Sequence, residues 1–171
     1  MLFRSTTFSA ANFSALDEAI RRYNAENLLL KFQRVTTSSA NIVFSRLTKS
    51  QERQGILGSS GFPTSSGDPY GVIKMSGILE STYALSVNGI ATIMAHEMGH
   101  CIGFRHTDYY NRAISCGGSV SNEGASTVGA NLIPGTPSTA TLAALSWMLA
   151  CTDGGNRNFN TDDKTALNYL Y

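Results

Sequence analysis

The stretch from Asn88 to Gly103 constrains this chain more than any other. Ile90, Ile93, Met94, Met98 and Ile102 fall all round a helical projection, the mark of a central helix buried on every side. His96, Glu97 and His100 stand inside it. Burying such groups is costly unless something satisfies them. Whatever else the chain forms, it must wrap this helix and supply that partner.

The wider run, His96-Glu97-Met98-Gly99-His100-Cys101-Ile102-Gly103-Phe104-Arg105-His106, has the form HExxHxxGxxH. Histidines at i and i+4 are neighbours on one helix face, about 5–6 Å apart at Cβ, so two imidazoles can converge on one ion. A third ligand six residues beyond His100 would be carried away by a continuing helix. Gly103 removes that difficulty, because glycine takes positive φ cheaply and ends a helix in a sharp turn. The chain then doubles back and presents His106. These three are all the histidines in the chain; placed at random they would take this spacing about once in five thousand arrangements.

Three neutral imidazoles with one open position describe a catalytic zinc site rather than a closed structural one. Iron fits less well, since its facial triad needs a ligating carboxylate. Glu97 borders the metal face without joining it. It is placed to take a proton from a metal-activated water and return it to a leaving group. A zinc-stabilised binding module would have no use for such a base, so the residues point to hydrolysis.

With a methionine turn after it, this signature is that of the metzincins, and the chain resembles that clan. More narrowly, it resembles the bacterial dual-action HEIGH metallopeptidase family. The matching residues are His96–Asp108 (HEMGHCIGFRHTD, with Met98 where the family has isoleucine), Asn122-Glu123-Gly124, Ile133-Pro134-Gly135-Thr136-Pro137, Ser146-Trp147-Met148 and Thr165–Tyr171. The resemblance covers nearly the whole chain. It implies one catalytic domain, residues 1–171, with an α+β, metzincin-like fold. A twisted mixed sheet and the active-site helix would form an upper subdomain (about 1–104). An irregular lower subdomain with a C-terminal helix would follow (about 105–171). It implies a zinc-dependent endopeptidase that cuts internal bonds of extended protein or peptide substrates.

The resemblance also makes Met148 the methionine beneath the zinc. It makes Val72, Ile73, Lys74 and Met75 an edge strand on which a substrate pairs by strand addition. Taken alone, these residues say only buried core and sheet edge. Asp108 either orients a ligand imidazole or pairs with Arg105 or Arg112, or it is a plain turn residue. Some metzincins carry a tyrosine two residues past the methionine, where this chain has Ala150. The oxyanion role is then vacant, or filled by another group such as Tyr109 or Tyr110, or by the metal alone as Lewis acid. Calcium binding is left open.

Composition narrows partners and compartment. With 171 residues, 42% of them hydrophobic and 15% charged, the chain can bury a sizeable core. A net charge of +1 from scattered basic residues argues for neither nucleic acid nor an anionic membrane. No apolar run approaches the roughly 20 residues that span a bilayer, and Met1–Thr7 shows no leader pattern. Sparse charge with abundant Ser, Thr, Gly and Asn suits a secreted, periplasmic or cell-surface monomer. Three cysteines are too few for a disulfide scaffold. Cys116 with Cys151 is the favoured pair and Cys101 a buried thiol, although spacing alone does not determine connectivity.

Elsewhere the reading is coarse. Ser14 is a candidate cap for a helix carrying Leu16, Ala19, Ile20 and Tyr23, with Asp17 and Glu18 in its first turn. Leu28–Val35 and Asn41–Leu47 read as strands, Ile56 and Leu57 as part of a third, and Val72–Met75 as an edge strand. Gly58–Gly71 and Thr107–Pro137 read as irregular. Thr161–Tyr171 reads as a helix capped by Asn160 or Thr161.

Overall fold

The computed structural model describes residues 2–5, 8–36, 39–124 and 130–171. In chain order the elements are β1 (Leu2–Ser5), α1 (Ala10–Ala25), β2 (Gln33–Arg34), β3 (Ile42–Arg46), α2 (Lys49–Arg53), β4 (Gly58–Ser59), β5 (Val72–Met75), α3 (Val87–Cys101), α4 (Ala113–Cys116), a 3-10 turn (Leu142–Ala144) and α5 (Thr161–Leu170). The architecture is α+β. Five short strands form one mixed sheet in the order β2-β1-β3-β5-β4. All neighbours run parallel except β4, which lies antiparallel to β5 with Gly58 opposite Met75 and Ser59 opposite Lys74.

The central helix is α3. From Gly89 to Ile102 every residue is buried except His96, which is half-buried. Ser86 caps its start by accepting from the Gly89 N–H. At its end Gly103 has φ +107°, the left-handed conformation that stops the helix and turns the chain. α1 packs along α3. Ala15, Leu16, Ala19 and Tyr23 of α1 share one core with Ile90, Ala91, Met94 and Met98 of α3 and with Ile42, Phe44, Ile73 and Met75 from the sheet. The Tyr23 hydroxyl donates to the Ala95 carbonyl at 2.7 Å and accepts from Trp147 Nε1 at 3.2 Å. Phe159 sits edge-on to both Tyr23 and Trp147. This aromatic knot joins both helices to the segment around Met148.

Several local expectations need correction. α1 begins at Ala10, and its cap is Ser9, which accepts from the Asn12 N–H. Ser14 is therefore interior to the helix. Asp17 and Glu18 lie mid-helix, where Asp17 pairs with Arg34 and Glu18 with Arg21 and Arg22. Only Gln33–Arg34 of the Leu28–Val35 run is strand. Asn24 holds the Phe32 backbone through both its N–H and C=O, and the Leu29 N–H goes to the Tyr171 carbonyl. Those backbone groups are thus lost to a ladder. The strand expected at Ile56 and Leu57 falls one step later, at β4. Val72–Met75 is a strand but not an edge: β5 lies between β3 and β4, and the exposed edge on that side is β4.

The 107–137 stretch is irregular apart from α4, with residues 125–129 outside the described set. α5 starts at an Asn160–Asp163 capping box. No helix among the described residues is long and apolar enough to cross a membrane.

Candidate metal centre

His96 and His100 project from successive turns of α3, and the Gly103 turn brings His106 to meet them. The Nε2 atoms of His96 and His106 are 3.2 Å apart, as are those of His100 and His106. All three ligand atoms lie within 4.8 Å of one another. Two bonds of 2.0–2.1 Å at a tetrahedral angle place their nitrogens about 3.3–3.4 Å apart, so the observed triangle fits a zinc ion.

The far side of each ring fixes which nitrogen is free. His96 Nδ1 donates to the Trp147 carbonyl at 2.8 Å and His100 Nδ1 to the Phe104 carbonyl at 2.7 Å. His106 Nδ1 donates to the Glu123 carboxylate at 2.8 Å. Carbonyls and carboxylates only accept, so each Nδ1 carries its proton. The three Nε2 atoms are then the ones left to face one another at near-contact distance, the side of each ring on which a shared ion would bind. Burial holds His96 well below the ordinary imidazole range, helped by the neighbouring rings. Burial and His106 take His100 down to about 4. Both are therefore neutral, the form that ligates a metal, at neutral pH.

Glu97 is buried beside this cluster. Burial pushes its carboxyl up to about 7, against the opposing pull of a Ser60 hydroxyl that donates to Oε2 at 2.6 Å. A carboxyl with a pKa near neutrality is poised to exchange protons. Gly58 of β4 lies directly over it. A Cβ at position 58 would come within 2.6 Å of Glu97 Oε1, so this strand position has no room for a side chain.

Met148 lies beneath the helix, its sulfur so close to Gly99 that a Cβ there would meet it at 2.7 Å. The flanking backbone is anchored on both sides: Trp147 O accepts from His96, and Met148 O accepts from the Thr107 N–H at 2.9 Å. Asp108 is fully buried but touches no imidazole. Its carboxylate accepts from the Ala150 N–H and the Ser115 hydroxyl, so it ties the stretch after Met148 to α4. The carboxylate that does meet a ligand ring is Glu123, itself ion-paired with Arg112 at 3.3 Å.

Cys116 and Cys151 are joined in a disulfide, and Cys101 is a buried free thiol. The Tyr110 hydroxyl accepts from the Ala140 N–H, and the Tyr109 ring meets that of Tyr110 edge-on.

The cluster opens on a cavity of about 740 Å³. Gly58, Ser59 and Ser60 wall one side, and Leu149–Gly154 wall the other. None of Val72, Ile73, Lys74 or Met75 lines it, nor do Tyr109 and Tyr110.

Sequence reading named Glu123 only as part of a matching stretch and missed its contact with His106, and it missed Ser60 and Gly58. A signal for Glu123 existed: between Thr107 and Pro137 the charged residues are Asp108, Arg112 and Glu123 alone. In so charge-poor a stretch each is conspicuous. Ser60 and Gly58 sit in a Gly/Ser-rich run that hides them.

The model of the dual-action HEIGH metallopeptidase family matches residues 3–171. No curated protein matches the chain.

Proposed function

The chain belongs to the dual-action HEIGH metallopeptidase family, and from that premise we propose that it is a zinc-dependent endopeptidase of metzincin type, acting as a monomer on extended protein or peptide substrates. The observation that carries this reading is the convergence of three histidine Nε2 atoms next to the buried carboxyl of Glu97. His96, His100 and His106 would hold the ion. When bound, zinc supplies Lewis acidity that polarises a scissile carbonyl and makes water a nucleophile near neutral pH.

The chain's own residues do the rest. Glu97 takes the proton of the attacking water and delivers it to the leaving amine. Ser60 fixes one carboxylate oxygen and leaves Oε1 for that traffic. Met148 forms the apolar base under the histidines. The outer edge of β4, rather than β5, offers backbone groups to an extended substrate, and the bare Gly58 lets that strand approach Glu97 closely. The substrate lies between an upper part (about 1–104) and a lower part (about 105–171). An aqueous, oxidising location, secreted, periplasmic or cell-surface, is supported by the Cys116–Cys151 bond.

Digestion of casein by the purified chain, with products sequenced by mass spectrometry, tests this. Internal cuts that stop on chelation and return with zinc are expected. Trimming from chain ends only, or cleavage indifferent to the chelator, would overturn it.

A further inference from the structure

The residues of α3 that line the cavity run from His100 back past His96 to Thr92. Thr92 and Ile93, one turn before His96, line it there, with Leu85 and Leu149 as apolar walls. Arg157 also lines this arm. Its backbone N–H donates to Thr92 Oγ1 at 2.9 Å, which places it about one helical turn, roughly 6 Å, from the level of His96.

The Arg157 side chain is only 3% exposed, yet its charge is poorly matched. Nη1 donates to the Cys151 carbonyl. Nη2 reaches Asp153 Oδ1 at 3.3 Å, and that carboxylate is on a side chain 67% exposed and also accepts from the Gly155 N–H. Nε is buried without a hydrogen-bond partner. The neighbouring buried guanidinium makes an instructive contrast. Arg22 has Glu18 at 2.9 Å and further acceptors in Thr92, Asn156 and the Arg157 carbonyl. A buried cation with a loose, solvent-facing counter-ion is costly, and it recovers much of that cost when a better anion arrives.

We infer that this arm is a specificity pocket for a substrate side chain ending in a carboxylate, with Arg157 as the specificity residue and Asp153 as the group it displaces. The inference rests on the peptidase reading above. The apolar walls take up the methylenes of a glutamate beside the scissile bond while its head reaches the guanidinium. Glutamate therefore outranks both aspartate, which is too short, and leucine, which leaves Arg157 as poorly matched as before.

The test uses the zinc-loaded full chain and a peptide library randomised on both sides of the cut, followed by kcat/KM for matched peptides differing only as Glu or Leu at the selected position. Wild type is expected to enrich Glu at one position flanking the cut. Arg157→Met lowers the Glu:Leu ratio about tenfold, and Arg157→Lys restores part of it. Asp153→Asn raises the ratio about threefold, since it removes a competing anion. Opposite shifts from two residues on one loop are not what a merely structural role would produce. Asp153 is exposed, so its variant remains informative if Arg157→Met fails to fold. Wild type that cuts the library without enriching Glu overturns the pocket and leaves the peptidase reading intact. A ratio unmoved or lowered by Asp153→Asn also overturns the pocket. Failure to cut any peptide overturns both.

Discussion

His96 and His106 aim at the same point from opposite kinds of structure. His96 stands on α3, a 15-residue helix whose backbone bonds itself and whose apolar surface faces core on all sides. His106 stands on irregular chain whose own backbone bonds make only short turns and isolated bridges, such as the Tyr109 N–H to the His106 carbonyl and the Glu123 N–H to the Tyr109 carbonyl. Its surroundings are held by side chains reaching across: Asp108 to Ala150 and Ser115, Glu123 to His106, Asp163 to Ser146 and Trp147, and the Cys116–Cys151 bond. Both halves place a ligand nitrogen equally well. A helix does so through periodicity, whereas the lower half needs a network of buried polar contacts, each individually breakable.

The largest break in that contrast comes from the disulfide. It closes a loop of 35 residues, worth about 4 kcal/mol in the chain-entropy account. A Cys116→Ser, Cys151→Ser double variant should lose about that much in urea unfolding. A loss below about 1 kcal/mol would mean the hydrogen bonds alone hold the lower half.

Asp163 gives the next effect, and it depends on pH. Burial raises its carboxyl from 3.8 to about 6, although Ser146, Asn160 and Trp147 all donate to it. The unfolded chain gives up this proton first as pH rises, so the folded state binds more protons between about 4 and 6. Wild type therefore loses stability across that window relative to Asp163→Asn, by at most about 3 kcal/mol. Unfolding of both proteins at pH 4 and pH 7 measures the change in the gap. A gap that widens in favour of wild type as pH rises would reverse the assignment.

Much of the helical framework was legible in the sequence. The all-round apolarity of α3, its terminus at Gly103 and the capped start of α5 follow from local rules that side-chain periodicity and turn chemistry record directly. The start of α1 was misplaced between two nearby serines, Ser9 and Ser14; elsewhere, partners further along the chain had decided the matter. The backbone after Leu28 is captured by Asn24 and Tyr171. β5 reads as an edge until β4 pairs with it from 15 residues upstream. Of the lower site, His106 was legible because it sits within the motif. Glu123 stood out by its charge, but its link to His106 was not legible, since nothing local joins it to a ring 17 residues away. The sheet edge passed from Val72–Met75 to Gly58–Ser59 for the same reason.

Glu123 sharpens the comparison at the histidine cluster itself. His96 and His100 lean on backbone carbonyls, which no substitution removes, whereas His106 leans on a replaceable side chain. Glu123→Gln should weaken zinc affinity about 10–100-fold, equivalent to about 1.4–2.7 kcal/mol, in a competition titration against a chelating dye. Unchanged affinity would mean that His106 is oriented by its backbone alone.

The smallest effect tests the upper half. Ser9→Ala should cost about 1 kcal/mol, as a lost cap does, and Ser14→Ala close to nothing. The reverse order in thermal unfolding would return the start of α1 to Ser14.

The central claim is that three histidines hold zinc while Glu97 moves the proton. Measuring bound zinc and peptide turnover together in Glu97→Gln addresses it most directly. One zinc per chain with turnover reduced about 10²–10⁴-fold is the predicted result. Turnover at the wild-type rate, or loss of the metal with the carboxylate, would contradict it.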